Sequence, residues 1–348
     1  MKAAVLRKFG ENLEIEELLI PDLDKNQVLV DIKFTGICGA QINQKKGIKI
    51  EEKFLPCLMG HEGSGVVLAV GPKVNKVKSG DHVVLHWRKS SGVDSNFPNF
   101  YSKSAQENIG AGLITTFSEQ SIVSENRITK IDPHHPLDIA SLLGCGVTTG
   151  IGIINNELNI SSNSSFVISG VGGVGISTIM GAKLKEAEKI IALDLSDDKL
   201  NFAHSVGSTH EINIADNSNF DKEIMDITND NGVEYAIDTT GNGLVIDKLL
   251  NSLKPGGSLV LVGQPKKNEN LVISNFLKLY KGINIFDSQG GLTNPEKDIP
   301  KILSLHDNGI LDLSILIERK ISLNEINKGF EMLENHMLVG SRILIENK

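Results

Sequence analysis

A chain of 348 residues, 40% hydrophobic and 22% charged, has the apolar content for a sizeable core and the length for two domains. Its formal charge of −8, with no basic cluster, excludes a surface that tracks nucleic-acid phosphates and favours small-molecule chemistry. Three cysteines, Cys38, Cys57 and Cys145, are too few and too scattered for a disulfide framework, so metal binding, catalysis or burial must account for them.

The opening "MKAAVLRKFGENLEIEELLI" carries a charge every few residues and matches neither a signal-peptide core nor a membrane span, so a cytoplasmic location is expected. Up to about residue 85 the chain reads as β: "QVLVDIKFTG" and "GSGVVLAVG" are strand-like and "VKSGDHVVL" contains a turn. Residues 88 to 116 are polar and aperiodic, which predicts a surface lobe or substrate loop rather than core. Strand character returns at "FSEQSIVS".

From "SSFVISGVGGVGISTIMGAKLKEAEKIIALDLSDDKL" the rhythm becomes strand, glycine turn, helix, strand, and "VEYAIDTTG" and "GGSLVLVG" add further buried strands. That alternation predicts an α/β, doubly wound parallel sheet of the Rossmann kind. The last sixty or so residues mix helix with a terminal strand, and no internal repeat is present.

Gly170, Gly172 and Gly175, with Gly173 and Val174 between them, form G-x-G-x-x-G directly after the apolar run "SFVIS" and before a helical pattern. Such glycines permit a tight turn, close approach of backbone N–H groups to a pyrophosphate, and close helix packing. Asp194 closes the next strand nineteen residues after Gly175, where a carboxylate accepts both ribose hydroxyls and repels a 2′-phosphate. NAD is therefore expected over NADP.

Cys38 in "GICGA", His61 in "MGHEGSG" and Cys145 in "LGCGVTTG" are soft-metal ligands in glycine-flanked loops. Two thiolates and an imidazole suit Zn²⁺ with a fourth position open to a substrate oxygen, whose pKa the ion would lower. Glu62 follows His61 as a carboxylate able to tune the ion from outside its ligand shell. Taken singly, each cysteine reads as a small buried residue and the histidine as a hydrogen-bonded core residue, and Cys57 keeps that reading.

Through "GICG", "MGHEGSGVV", "LLGCGVTTG", "SGVGGVG", "IIALDLSDDKL" and "SLNEINKGFEML", over essentially its whole length, the chain resembles the medium-chain zinc-dependent alcohol dehydrogenases, particularly the glutathione-dependent formaldehyde dehydrogenases. The resemblance implies one catalytic zinc per chain on Cys38, His61 and Cys145, with Glu62 beside it. It also implies Thr149 near the nicotinamide, Trp87 in the substrate pocket, Arg342 near the cofactor phosphates and Lys199 near the adenosine ribose. It implies a mostly β, GroES-like catalytic domain, 1–146 and 288–348, interrupted by the cofactor domain, 147–287. It further implies a homodimer, or a tetramer, joined near "KGINIFD".

Two departures stand out. Many relatives carry four closely spaced cysteines, a structural zinc site, in the lobe that residues 86 to 118 match, and none is present here. Relatives also place Ser or Thr two residues after the first cysteine to pass on the substrate proton; here that position is Ala40, followed by Gln41 and, two further on, Asn43. The proton must then leave through ordered water, a cofactor ribose hydroxyl or a second hydroxyl on the substrate, as a polyol or sugar derivative would supply. A metal-free NAD(P)H reductase of the same superfamily and a non-catalytic NADH-binding protein are the alternatives.

Overall fold

The computed structural model describes residues 1–48, 50–266, 270–340 and 342–348, which form two compact units. The first comprises Met1–Gly146, Asn294–Leu338 and Arg342–Lys348; the second comprises Val147–Thr293 with Val339 and Gly340.

The first unit is built on the strand Gln27–Gly36, whose alternation sends Val28, Val30 and Ile32 into a core with Val67, Val83, Leu85 and Val123. Complete burial of each such side chain stabilises the fold by roughly 1.5–3 kcal/mol. This strand pairs antiparallel with Glu62–Val70, Gln120–Ser124 and the terminal strand Arg342–Glu346. The sheet continues through His82–His86 to Ile128–Ile131 on one side and through Ile317–Ile321 on the other. Two catalytic candidates, Cys38 and Glu62, thus sit at the ends of paired strands.

A closed barrel of Lys2–Leu6, Glu14–Leu19, Asn99–Ser102, Glu107–Gly110 and Cys57–Leu58 accompanies the sheet. This corrects the expectation that residues 88 to 116 are surface loop: they contain a hairpin, Asn99–Ser102 with Glu107–Gly110, that closes the barrel. Phe100 and Ile109, both 0% exposed, fill its core. Each strand contributes one large apolar side chain among polar neighbours, too little for periodicity to register.

The second unit is a six-stranded, wholly parallel sheet. Its order is His210–Asn213, Lys189–Asp194, Ser165–Ser169, Val233–Asp238, Leu253–Leu261 and Asn284–Asp287. Numbered along the chain this is 3-2-1-4-5-6, which reverses direction at Ser165–Ser169, the strand that feeds the glycine turn. The doubly wound expectation is borne out. Its central strands are buried on both faces, so they read as continuous apolar runs such as "SFVIS" and "KIIALD".

Candidate active site

Cys38 caps the short helix Gly39–Lys45 from an extended conformation, where the strand Gln27–Gly36 ends. Gln41 reaches back: its Oε1 accepts a hydrogen bond from the Cys38 N–H at 2.8 Å, the return half of a capping box. Gln41 is fully buried, and its Nε2 has no partner. His61 directly precedes the strand Glu62–Val70, whose first carbonyl accepts from Thr35 Oγ1 (2.8 Å) and Thr116 Oγ1 (3.1 Å). Cys145 follows the 3₁₀ turn Leu142–Gly144.

These three loops bring the predicted ligands together: one donor atom each from Cys38, His61 and Cys145 lies within 4.8 Å of the others, and the two sulfurs are 4.0 Å apart. Cys38 is buried and Cys145 partly open. His61 Nε2 is shielded from solvent and has no hydrogen-bond partner. A buried, unpartnered imidazole nitrogen beside two thiols is a donor set that zinc completes and that hydrogen bonding leaves unsatisfied.

The thiols are electrostatically inequivalent. The Cys145 S–H donates to Cys38 and, with Arg342 and His61 outweighing the effect of burial, holds the Cys38 thiol well below the ordinary thiol range. Cys145 is pushed up in turn, by that hydrogen bond, by burial and by repulsion from a Cys38 thiolate. Cys57 stays inert, raised by burial to about 11.

Behind the ligands lies a charged pair. Burial raises the pKa of Glu62, and Arg342 opposes that shift. Burial likewise works against the Arg342 charge, but Glu62 and the two thiols outweigh it and raise its pKa. Both Glu62 oxygens, and Nε and Nη2 of Arg342, are buried without hydrogen-bond partners. The seat is cut to size by glycine: a Cβ on Gly146 would collide with Arg342 Nη2, and one on Gly144 with Glu62 Cβ and the Leu85 carbonyl. Sequence reasoning missed this role of Gly144 and Gly146, although "LGCGV" carried the signal.

Ala40 sits half-buried in the first turn of the helix and offers no hydroxyl; Asn43 lies on the same helix. Trp87, half-buried, follows the strand His82–His86, and its backbone N–H donates to the Gly144 carbonyl at 3.4 Å.

In the second unit Gly170 takes φ +83, and a Cβ on Gly175 would strike the Gly170 carbonyl, so the helix Gly173–Leu184 packs tightly on the turn. A Cβ on Gly172 would meet nothing, which leaves an open approach to the backbone there, just before Gly173 and Val174 begin the helix. Asp194 Oδ2 accepts from Val171 N (2.9 Å), and its Oδ1 accepts from Leu195 N and Ser196 N. Lys199 lies on the following helix, Asp197–Val206, and Thr149 is buried in the helix Gly146–Gly152.

Two family models match the chain: "Alcohol dehydrogenase GroES-like domain" over residues 24–133 and "Zinc-binding dehydrogenase" over residues 173–308. An S-(hydroxymethyl)glutathione dehydrogenase of Paracoccus denitrificans is 30% identical, with 99% of each chain covered. An alcohol dehydrogenase class-3 of Cereibacter sphaeroides is 31% identical over 95% of this chain and 96% of its own. Among solved structures, benzyl alcohol dehydrogenase from Acinetobacter calcoaceticus superposes with a TM-score of 0.88 at 28% identity, covering 100% of this chain and 99% of its own. The chain belongs to the medium-chain zinc-dependent alcohol dehydrogenase family. It is an oxidoreductase that uses zinc and NAD(H) to interconvert alcohols and carbonyl compounds.

Proposed function

We propose that the substrate is a small molecule with more than one hydroxyl, a polyol or sugar derivative, oxidised by NAD⁺ at one carbon or formed from its carbonyl by NADH. The observation that carries this reading is Ala40: the helix turn that follows Cys38 presents a methyl group where a proton-passing hydroxyl would stand. Gln41 does not replace it, because its carboxamide oxygen is engaged with the Cys38 N–H. A neighbouring hydroxyl on the substrate supplies the missing step of the proton path without any side chain at position 40.

In this reading Cys38, His61 and Cys145 hold the zinc, which when bound acidifies an alcohol hydroxyl. Glu62 and Arg342 set the field behind the ligands, while Gln41 fixes the Cys38 loop. Trp87 shapes the substrate pocket and Thr149 lies by the nicotinamide. The turn Gly170, Gly172, Gly173, Val174 and Gly175 cradles the pyrophosphate, and Asp194 with Lys199 receives the adenosine ribose. We further place the protein in the cytoplasm as a homodimer joined through the edge strand Asn284–Asp287, whose Ile285 is exposed. No single helix among the described residues is long and apolar enough to cross a membrane.

The test is NAD⁺-linked turnover across polyols, sugar derivatives, simple primary alcohols, benzyl alcohol and S-(hydroxymethyl)glutathione. Highest kcat/KM on a polyhydroxylated substrate is expected; turnover confined to simple alcohols overturns the reading. A second reading, oxidation of S-(hydroxymethyl)glutathione, draws on the 30% identity over 99% of the chain to a Paracoccus enzyme of that name. Exclusive turnover of that adduct would establish it.

A further inference from the structure

Far along the chain from the cysteine ligands, the loop between the strand Ile128–Ile131 and the helix Leu137–Ser141 brings two histidines to the last residue of the helix Pro295–Asp307. His134 Nε2 lies 3.2 Å and His135 Nδ1 3.0 Å from the same Asp307 oxygen, Oδ2. One donor atom from each of the three residues falls within 4.8 Å of the others, an arrangement that occurs among the described residues only here and at Cys38, His61 and Cys145.

We infer that His134, His135 and Asp307 form a second site, for a divalent transition metal of the zinc, nickel or cobalt type, that clips the 132–135 loop to the end of the helix Pro295–Asp307. Four observations support it. First, ligands about 2.0–2.1 Å from a tetrahedral ion stand about 3.3 Å apart, and the two imidazole-to-carboxylate distances are close to that without rearrangement. Second, His135 Nδ1 is shielded from solvent on a side chain only 10% exposed, and despite the short distance it makes no hydrogen bond. A nitrogen near a carboxylate but not aligned with it behaves as a co-ligand rather than a donor.

Third, His134 already has its outer support. Asp132 Oδ1 lies 2.7 Å from His134 Nδ1 and also accepts the His134 backbone N–H at 3.1 Å. Asp132 orients the ring through Nδ1 as in the carboxylate–histidine–metal pattern, and the Nε2 hydrogen bond to Asp307 is the contact that an ion would replace. Fourth, a carboxylate at a helix C-terminus opposes the helix dipole, and a cation bound there relieves the conflict. Two imidazoles and one carboxylate exclude the all-oxygen preference of Ca²⁺ and Mg²⁺ and suit borderline metals. The remaining positions face solvent, since His134 is largely exposed, so the role assigned is to cross-link rather than to react.

The experiment uses metal-free, full-length protein without a metal-binding tag, titrated with Co²⁺ and followed by absorption and equilibrium dialysis. The expected result is two equivalents: one with sulfur-to-cobalt charge-transfer bands, from the cysteine ligands, and one without. The double variant H134A/H135A should bind one equivalent with its sulfur bands unchanged, and D307N should weaken the sulfur-free equivalent at least tenfold. Retained sulfur bands report an intact fold; if the double variant loses them, D307N carries the test. A wild type that binds only the sulfur-bearing equivalent, or a sulfur-free equivalent that persists in both variants, overturns the inference. Loss of only the sulfur-bearing equivalent from the wild type would count against the Cys38, His61 and Cys145 site alone.

Discussion

Arg342 Nη1 stands 3.7 Å from Glu62 Oε1, a buried ion pair near enough for strong attraction and too long for a hydrogen bond. Removing one charge leaves the other buried and uncompensated. Glu62→Gln or Arg342→Met alone should therefore destabilise the first unit by about 3–5 kcal/mol, and the double variant by clearly less than the sum. Urea unfolding of the four proteins, metal-free, measures this; strict additivity would show that the two charges do not act on each other.

The glycine turn offers a cleaner separation of fold from ligand. Gly172→Ala meets no atom and should leave stability within about 0.5 kcal/mol, yet weaken NADH binding at least tenfold, because its methyl group fills the approach to the backbone. Gly175→Ala meets the Gly170 carbonyl and should destabilise by about 1–3 kcal/mol. Unchanged NADH affinity in the Gly172 variant, by fluorescence titration, would remove the pyrophosphate from this turn.

Ala40→Ser restores a hydroxyl in the first turn after Cys38. For simple primary alcohols, which bring no second hydroxyl, kcat/KM should rise about tenfold or more, while polyhydroxylated substrates gain little. A fall for simple alcohols would contradict the proton path proposed for the wild type.

His86 is buried, with Nδ1 2.7 Å from the Arg88 carbonyl and Nε2 3.0 Å from Thr129 Oγ1, and burial pushes it from the usual imidazole value of 6.5 to about 4. The unfolded chain therefore binds the proton more readily between those two values. Stability should fall as pH drops from 6.5 to 4, by about 3 kcal/mol in all, and its His86 contribution should be flat below 4. Denaturant midpoints across that window check it, with His86→Asn expected to flatten the slope.

Ile285 lies on the edge strand Asn284–Asp287, exposed and apolar. Ile285→Lys should shift a dimer toward monomer in sedimentation velocity. A wild-type chain that is already monomeric at micromolar concentration would dispose of that assembly.

Much of this was legible in the chain. The strand Gln27–Gly36 coincides with the run "QVLVDIKFTG", and the glycine turn occupies its predicted place between Ser165–Ser169 and Gly173–Leu184, because one period dominates each segment. Cys38, His61 and Cys145 were found by residue type and glycine flanks, and the fold brings them together. The barrel hairpin was not legible because each of its strands buries a single large side chain, Phe100 in Asn99–Ser102 and Ile109 in Glu107–Gly110. The cap that Gln41 places on Cys38 depends on side-chain direction, and although the glycines of "LGCGV" marked a close approach, that Arg342 is what fits against Gly146 depends on a contact between distant segments.

Asp194 ties Val171 N with one oxygen and Leu195 N and Ser196 N with the other. On the proposed reading, the residue that refuses a 2′-phosphate is therefore also a rivet of the loop that receives the pyrophosphate. Replacing it with a small neutral residue to admit NADP would free the Val171 N–H and slacken that loop in the same stroke. Cofactor preference in this chain is thus hard to change by a single substitution: a new specificity has to arrive together with a new brace for the turn.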